Sequence, residues 1–579
     1  MRSLAPYLAP QVGILLGAGA SIAAGLPSWE LLAQRLLTRT GVAPSQESAR
    51  RLLDSQDPLL VAEAARARSG DWEGDLRAAL YGSDPEPDPA ALHLAVAGLA
   101  AARAAGDVSL NTLNFDPLLG NALRDALAEL GSTATVVERW TDAAGPRGAY
   151  TVNHLHGLLG TGTGSATGVL LTLSDFLDVA AQPHPWQVTS LAEGLSRGPL
   201  IIAGTSYRDP DIRQWLHDLR SPHPKVVLVA RQGLGLDRES YAAVIPALQK
   251  QWDALGVTPI FLHDHADAAQ ALRELPHLAD AAYQSPTQRA AQLIGALAAN
   301  FDTMQAQHSR QLASDLDRLR PHLGDEANLT LWLVDGGGQL LRWSAPDRVY
   351  RTFNDLRVVV PGYDSPWLSG RCLGQDDILV EDLTADSRGA TQRWKSVVAA
   401  PIPVDIPGGP AFSAAVLSSA TVLTLDDVAA GDWETLLGEL ASEWAPRLTG
   451  TIVTRCSECR RQREEHSEGL PAKRRSRHLP GQRRHDRTQR HHRPLRFEGD
   501  RSSAPQDDRG RDQARAQQVA GTNARADERR VAQRRKWLAP RLMVCRAVNS
   551  PAKPTSIVPC VALPQPAPGA RCSQSVVSS

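Results

Sequence analysis

One stretch near the start of the chain decides the fold: Gln11-Val12-Gly13-Ile14-Leu15-Leu16-Gly17-Ala18-Gly19-Ala20-Ser21. Its first half is apolar, as in a buried strand, and its second half is a turn of small residues. A strand that runs straight into a glycine-rich turn is typical of the first unit of an open parallel sheet, where ligands bind beyond the carboxyl ends of the strands. The stretch therefore predicts an α/β fold with a binding site at this strand end.

Three further polar motifs follow apolar stretches within the first 210 residues. They are Thr112-Leu113-Asn114-Phe115-Asp116, His154-Leu155-His156-Gly157 and Gly204-Thr205-Ser206-Tyr207-Arg208-Asp209. Because each follows a strand-like segment, we expect all of them at one edge of the sheet. Taken singly, each has a structural explanation, as a helix cap, a turn or a hydrogen-bonded buried histidine. Their joint occurrence favours a nucleotide site with an asparagine and a histidine beside it.

Residues 10–280 alternate short apolar runs with segments of helical spacing. Later strands are predicted at Pro199–Ala203, Lys225–Ala230 and Val257–Leu262, and helices at Trp29–Thr40, Pro58–Arg68 and Pro117–Leu130. Near-continuous apolar strands indicate burial on both faces of a sheet. The pattern thus predicts a Rossmann-like parallel sheet with helices on both faces.

Residues 287–320 are predicted as one long helix with an apolar stripe. The stripe consists of Ile294, Leu297, Phe301, Met304, Leu312, Leu316 and Leu319. Its spacing of three and four suits a seam between subunits or a stalk between domains, and equally a helix that lies on its own domain. Residues 325–448 then show two hairpin patterns and a closing amphipathic helix, Trp433–Leu448, which predict an antiparallel α+β module.

Length and composition limit the possible classes of protein. With 579 residues the chain is too long for one hydrophobic core, so we expect two or three domains. No apolar run reaches the roughly 18 residues of a membrane span, and the first residues lack the apolar core of a secretion signal. We therefore expect a cytoplasmic protein without a membrane partner.

Charge and cysteine are divided unevenly along the chain. Residues 451–579 hold 28 of the 62 Lys and Arg and 12 of the 63 Asp and Glu, a net charge of +16, so residues 1–450 carry −17. An acidic body argues against nucleic-acid binding outside the tail. Only Cys372 lies in the first 450 residues, which argues against a disulfide framework or a cysteine zinc site there.

The tail from Thr451 is rich in Arg, His, Gln and Pro and shows no sustained periodicity. Such a segment buries too little apolar area to offset the entropy of ordering it, so we predict disorder. It is either a native arm, the one part expected to contact nucleic acid, or the product of a shifted reading frame.

The four motifs together resemble those of the sirtuin fold family, in particular the bacterial sirtuin-like domains of defence proteins. The resemblance covers residues 10–275 and rests on Gly17–Ser21, Gly25-Leu26-Pro27-Ser28-Trp29, Thr112-x-Asn114-Phe115-Asp116, His156-Gly157, Gly204-x-Ser206-x-x-Asp209 and Leu255–Ile260. It implies NAD as substrate and cleavage of the bond between nicotinamide and ribose. No metal is expected.

The resemblance also implies roles for individual residues. Asn114 would orient the ribose and the attacking water, and His156 would act as the base. The other cofactor contacts would come from Gly17, Ala18, Gly19 and Ser21 at the pyrophosphate, from Asp116 at the nicotinamide pocket, and from Gly204, Thr205 and Ser206, the last two at the adenosine ribose.

One departure from the family indicates which reaction to expect. Protein-deacylating sirtuins carry a four-cysteine zinc module between the positions of His156 and Gly204, and this sequence has no cysteine there. Water is then the expected acceptor, which predicts an NAD hydrolase that releases nicotinamide and ADP-ribose, linear or cyclic. The alternatives are an NAD-dependent protein deacylase and a non-catalytic NAD or ADP-ribose sensor; the sensor needs neither Asn114 nor His156.

Residues 325–448 resemble a GAF domain, a small-ligand sensor and dimerisation fold. The resemblance rests on Trp394–Ile402, Ala415–Ser419 and the helix from Asp432. It implies a small-molecule or nucleotide signal and a possible homo-oligomer. An NAD hydrolase, a long helix and a sensor-like domain in one chain together suggest a regulated anti-phage effector. The domains expected are a sirtuin-like NAD-binding domain at 1–282, a connecting helix at 283–323, a GAF-like domain at 324–449 and a disordered Arg-rich tail at 450–579.

Overall fold

The computed structural model describes residues 2–82, 87–143, 145–162, 166–205, 210–384, 393–429 and 431–468, the last 18 of them by their backbone alone. All of these residues lie in one compact unit, Met1–Leu538, and a second unit, Ala539–Ser579, lies outside the described residues.

The first domain is built on a parallel sheet of seven strands. They are β1 (Val12–Leu16), β2 (Val108–Thr112), β3 (Val136–Arg139), β4 (Tyr150–His154), β7 (Leu200–Ala203), β8 (Lys225–Ala230) and β9 (Val257–Leu262), with a small antiparallel pair, β5 (Leu158–Leu159) and β6 (Ala166–Thr167), beside them. The order across the sheet is β3-β4-β2-β1-β7-β8-β9. This arrangement confirms the predicted Rossmann-like class.

Helices cover both faces of this sheet. The helices of the first domain are α1 (Gly19–Ile22), α2 (Trp29–Arg39), α3 (Gln46–Ser55), α4 (Pro58–Arg68), α5 (Trp72–Tyr81), α6 (Ala91–Ala101), α7 (Leu118–Glu129), α8 (Leu173–Ala180), α9 (Trp186–Arg197), α10 (Pro210–Asp218), α11 (Arg238–Ala254) and α12 (His265–Glu274). One apolar core joins α6, α7 and α12 to the sheet, and another joins α8 to α11 to the opposite face. Both faces are therefore buried, which explains the apolar strands.

Four helices form a separate cluster between β1 and β2. α2 to α5 share a core of their own, which also takes in Leu118 and Leu159 near the carboxyl edge of the sheet. The cluster begins at Ser28, whose side chain accepts a hydrogen bond from the Leu31 N–H at 3.3 Å and so caps α2. This cluster places a helical layer beside the edge where the polar motifs end.

The second domain is an antiparallel sheet of six strands. They are β10 (Thr330–Val334), β11 (Leu340–Ser344), β12 (Val358–Val359), β13 (Leu379–Asp382), β14 (Ser396–Val404) and β15 (Phe412–Thr421), in the order β12-β11-β10-β15-β14-β13. Both predicted hairpins are present, β10 with β11 and β14 with β15. Its helices are α13 (Pro286–Ala298), α14 (Phe301–Leu323), α15 (Leu368–Gln375), α16 (Leu425–Ala429) and α17 (Trp433–Glu468).

The segment predicted as one long helix is two helices, α13 and α14. Asn300 separates them with φ −124° and ψ 42°, outside the helical region. Leu312, Leu316 and Leu319 of the stripe are buried in the core of the second domain, with α17 and the sheet. The prediction of a single connecting helix is corrected, because this pair belongs to the second domain, and the stripe is not available as a seam between subunits.

The last helix extends beyond its predicted end. α17 continues past Leu448 to Glu468. The disordered tail expected at residues 450–579 stays a prediction. The rest of the predicted tail, residues 469–579, lies outside the described residues. In the part of the chain that is described, no helix combines the length and the apolar character needed to cross a bilayer.

The two domains share an interface at the carboxyl ends of β8 and β9. Arg231, which follows β8 and is fully buried, donates to both carboxylate oxygens of Asp364 at 2.7 and 2.6 Å. The guanidinium also lies 4.5 Å from the ring centre of Tyr363. The Tyr363 N–H in turn donates to Oδ1 of Asp264, which follows β9, at 2.9 Å. A loop of the second domain thus contacts the sheet edge that carries the polar motifs.

A second contact between the domains is a fully buried ion pair. Glu274, the last residue of α12, is bonded to Arg289 of α13, and both side chains are 0% exposed. Arg289 also donates to the Pro410 carbonyl and lies over the Phe412 ring. Because burial of the pair removes both charges from water, each charge depends on the other for its stabilisation.

Candidate functional site

The strand order of the sheet reverses at β1. β1 pairs with β2 on one side and with β7 on the other, so β2 to β4 lie on one side of β1 and β7 to β9 lie on the other. In open parallel sheets the ligand crevice lies outside the carboxyl ends of the strands at such a point. Here that point carries the turns at Gly17 and Gly204, as the sequence predicts.

The two turns pack closely because both contain glycine. A Cβ on Gly17 would lie 2.6 Å from Cα of Thr205 and 2.7 Å from the carbonyl oxygen of Gly204. Gly204 itself has φ +68°, which disfavours any residue with a side chain. The glycines therefore allow two backbones to meet at the strand ends.

The predicted donors of the first turn are largely engaged within the fold. The Gly17 N–H donates to the Ala203 carbonyl, the Gly19 N–H to Gly204, and the Ser21 N–H to Ala18. Close packing of the two turns thus uses several of these donors within the fold. The contact of this turn with a pyrophosphate stays a prediction.

Asn114 is held by a chain of side-chain hydrogen bonds. Its Nδ2 donates to Ser21 Oγ at 2.7 Å, and Ser21 Oγ donates to Asp116 Oδ2 at 2.7 Å. The other oxygen of Asp116 accepts the N–H of Leu118, the first residue of α7, at 3.2 Å. Because the amide nitrogen is fixed on Ser21, Asn114 Oδ1 is the free acceptor; it is buried and contacts no donor among the described residues.

His156 lies at the same sheet edge as Asn114. β4 pairs with β2 so that Thr112 is opposite His154, and each of the two candidate residues stands two positions beyond this pair. The His156 ring contacts Phe176 at 5.5 Å and Trp215 at 6.1 Å between ring centres, both edge to face. Trp215 belongs to α10, which follows the Gly204 turn. His156 therefore contacts the helix that follows the Gly204 motif.

The site is enclosed in this structure. Ser21, Asn114, Asp116 and His156 are between 3% and 7% exposed. Thr205 lies at the turn with Gly204 and is half-buried, whereas Ser206, also a predicted contact, lies outside the described residues. No group of three metal-ligating side chains occurs in the described ranges.

Sequence reasoning missed His93, a buried histidine beside the site. Its Nδ1 accepts the Ala90 N–H at 3.3 Å, so in the neutral ring the hydrogen is on Nε2, which has no acceptor among the described residues. Burial lowers the pKa of His93, and the charge of Asp116 opposes that shift. A lone histidine in the apolar helix Ala91–Ala101 was the available signal.

It also missed the pair formed by Glu138 and His154. His154 Nε2 lies 2.8 Å from Glu138 Oε2, and its Nδ1 lies 3.1 Å from the Asn114 carbonyl oxygen. The residues are far apart in sequence, so only the pairing of β3 with β4 brings them together.

An enclosed polar cluster at the switch point of a parallel sheet defines the class as an α/β domain with a ligand site of the Rossmann type. Within it, residues 108–260 match the family model of the SIR2-like domain. A similar solved structure is that of Sir2 in complex with the inhibitor EX-527, 2'-O-acetyl-ADP-ribose and deacetylated p53 peptide; it is 16% identical, covers 47% of this chain and 97% of that chain, and has a TM-score of 0.24. Among curated proteins there is no match.

Proposed function

We propose that the first domain is an NAD hydrolase that cleaves the bond between nicotinamide and ribose. One observation carries the proposal: Asn114 is oriented by Ser21 and Asp116 so that a buried amide oxygen has no donor within the described fold. Leaving such an acceptor unpaired is costly. A ribose hydroxyl or a water molecule supplies the missing donor. The match to the SIR2-like domain is in keeping with NAD as the substrate.

The chemistry requires little acid catalysis. Nicotinamide in NAD is a cationic pyridinium and leaves as a neutral molecule, so the barrier is formation of an oxocarbenium-like ribose. Asn114 Oδ1 holds the ribose or the water in line, and His156 accepts a proton from the water as the new bond forms. A neutral imidazole near pH 7 suits that role.

The test is release of nicotinamide from NAD by the purified full chain. We expect the wild type to release nicotinamide. Asn114→Ala and His156→Ala variants that remain folded should lose this activity. Absence of release under every condition in which the protein binds NAD would instead favour the non-catalytic sensor.

Water is the proposed acceptor, and ADP-ribose is the proposed product. The same assay, run with an acyl-lysine peptide, distinguishes the hydrolase from a deacylase. Consumption of NAD with the peptide left intact supports hydrolysis. Acyl transfer to ADP-ribose in step with NAD loss contradicts it.

We further propose that the second, GAF-like domain regulates cleavage in response to a small-molecule or nucleotide signal, as in a defence effector. An unregulated NAD hydrolase would deplete its own cell, so a control element is expected. The contact of Asp364 with Arg231, at the carboxyl edge of the same sheet, supports this route of control.

A further inference from the structure

His154 occupies an unusual position between two hydrogen-bond acceptors. It is the last residue of β4 and is 0% exposed. Nδ1 lies 3.1 Å from the main-chain oxygen of Asn114, and Nε2 lies 2.8 Å from Oε2 of Glu138. A carbonyl oxygen only accepts, so Nδ1 must carry a hydrogen.

The second ring nitrogen faces a carboxylate that is itself held in place. Nε2 lies 2.8 Å from Glu138 Oε2, and Glu138 Oε1 accepts a hydrogen bond from Arg124 at 2.7 Å. The ring of His154 is therefore held at both nitrogens, between the Asn114 carbonyl and Glu138.

The surroundings leave room for this arrangement. α7 passes the Glu138 carboxylate at Gly120, where a Cβ would lie 1.8 Å from Oε1. The Asn114 main chain is held from its other side by its own N–H, which donates to Thr112 Oγ1 at 3.0 Å. The peptide groups on either side of the Asn114 Cα are thus both fixed by side chains.

We propose that His154, held between Glu138 and the Asn114 carbonyl, is a positioning residue for Asn114 in the proposed NAD cleavage. Ser21 fixes the Asn114 side chain and His154 fixes its main chain, so the amide oxygen keeps one direction. The part of this inference that concerns cleavage rests on the proposed function. The fixing of Asn114 does not.

Two substitutions separate the two bonds of His154. In His154→Asn the amide nitrogen takes the place of Nδ1 and keeps the bond to Asn114, whereas in His154→Gln it takes the place of Nε2 and keeps the bond to Glu138. We expect His154→Gln to lower kcat for NAD cleavage about 100-fold with little change in KM, because a misplacement near 1 Å has that effect. His154→Asn should restore most of kcat, and the exposed His184→Gln serves as control.

A spectroscopic readout tests the inference without activity. In full-length protein labelled with ¹⁵N at histidine, Nδ1 of His154 should show the shift of a ring nitrogen that carries a hydrogen. In protein labelled at asparagine, the Asn114 side-chain amide should exchange its hydrogens faster in His154→Gln than in His154→Asn. An Nδ1 without a hydrogen in the wild type, or equal exchange in the two variants, overturns the inference. If both signatures appear but NAD is not cleaved, the proposed function fails and the positioning of Asn114 stands.

Discussion

At the scale of single residues, the site depends on a serine between an amide and a carboxylate. Ser21 Oγ accepts from Asn114 Nδ2 and donates to Asp116 Oδ2, so it sets the direction of both side chains. Ser21 was predicted as a pyrophosphate contact, and that role remains a prediction. Its bonds in the structure give it a further one, in the alignment of Asn114.

Replacing Ser21 with Ala should therefore reduce turnover more than binding. The Asn114 amide loses its acceptor and rotates, and kcat for nicotinamide release should fall about 10- to 100-fold. KM for NAD should change less, as separate measurement of the two constants will show. The exposed Ser196→Ala is the matched control. A rise in KM with unchanged kcat would contradict the alignment role.

At the scale of elements, the packed turns after β1 and β7 leave no space for a side chain at Gly17. Gly17→Ala places a methyl group within 2.6 Å of the Thr205 Cα, where a rigid backbone cannot move aside. We expect the free energy of unfolding to fall by about 1–3 kcal/mol or more. Denaturant titration measures this fall. Gly70→Ala is the control, because nothing lies within 4 Å of its Cβ; an equal loss in both variants would contradict the packing argument.

Strand positions were more predictable than helix boundaries. The predicted strands Lys225–Ala230 and Val257–Leu262 coincide with β8 and β9. Five of the six residues of β8 are buried, as its apolar run indicates, whereas β9 lies at the edge of the sheet and is partly exposed. The break at Asn300 was not predictable, since apolar spacing continues from Leu297 to Phe301 across it. That break is set by packing of both helices against the second sheet.

The same contrast holds for the candidate site. The positions of Asn114 and His156 at one edge of the sheet were predictable because each follows a strand in its own short motif. Glu138 and His93 were not, since their relation to the site comes from strand pairing and from the docking of α6, which no local pattern records. Tertiary partners of a motif are fixed by the fold as a whole.

At the scale of the whole molecule, the interface between the domains contains a carboxyl group that resists ionisation. Burial raises the pKa of Asp264 from 3.8 to about 6, and the nearby charge of Asp267 adds to the rise; the Tyr363 N–H, Arg231 and Arg238 oppose it. Between these two pKa values the unfolded chain has lost the proton and the folded chain keeps it. Stability therefore decreases as pH rises from about 4 to 6 and then becomes level.

Asp264→Asn should remove that decrease while keeping an acceptor for the Tyr363 N–H. The variant should match the wild type near pH 4 and exceed it by on the order of 2 kcal/mol in free energy of unfolding above pH 7. Denaturant titrations across this range provide the measurement, with the exposed Asp253→Asn as control. A constant difference at all pH values would show that Asp264 ionises normally.

The contact between Arg231 and Asp364 allows the proposed regulation by the second domain to be tested. Asp364→Asn removes the charge that the fully buried Arg231 contacts. We expect faster hydrogen exchange in the segments around Arg231 and Tyr363, and a changed basal rate of nicotinamide release. Unchanged cleavage of NAD together with faster hydrogen exchange would show that this interface does not control the site.

The buried ion pair of Glu274 and Arg289 determines where the polypeptide can be cut for experiments. A fragment that stops at residue 282 lacks Arg289 and the second-domain residues packed around it, so Glu274 loses both its ion pair and its cover. A fragment that starts at residue 283 removes the partner of Arg289 in the same way. An isolated catalytic piece made at that boundary would report the damage of the cut, so point substitutions in the intact polypeptide are the sound way to dissect its two halves.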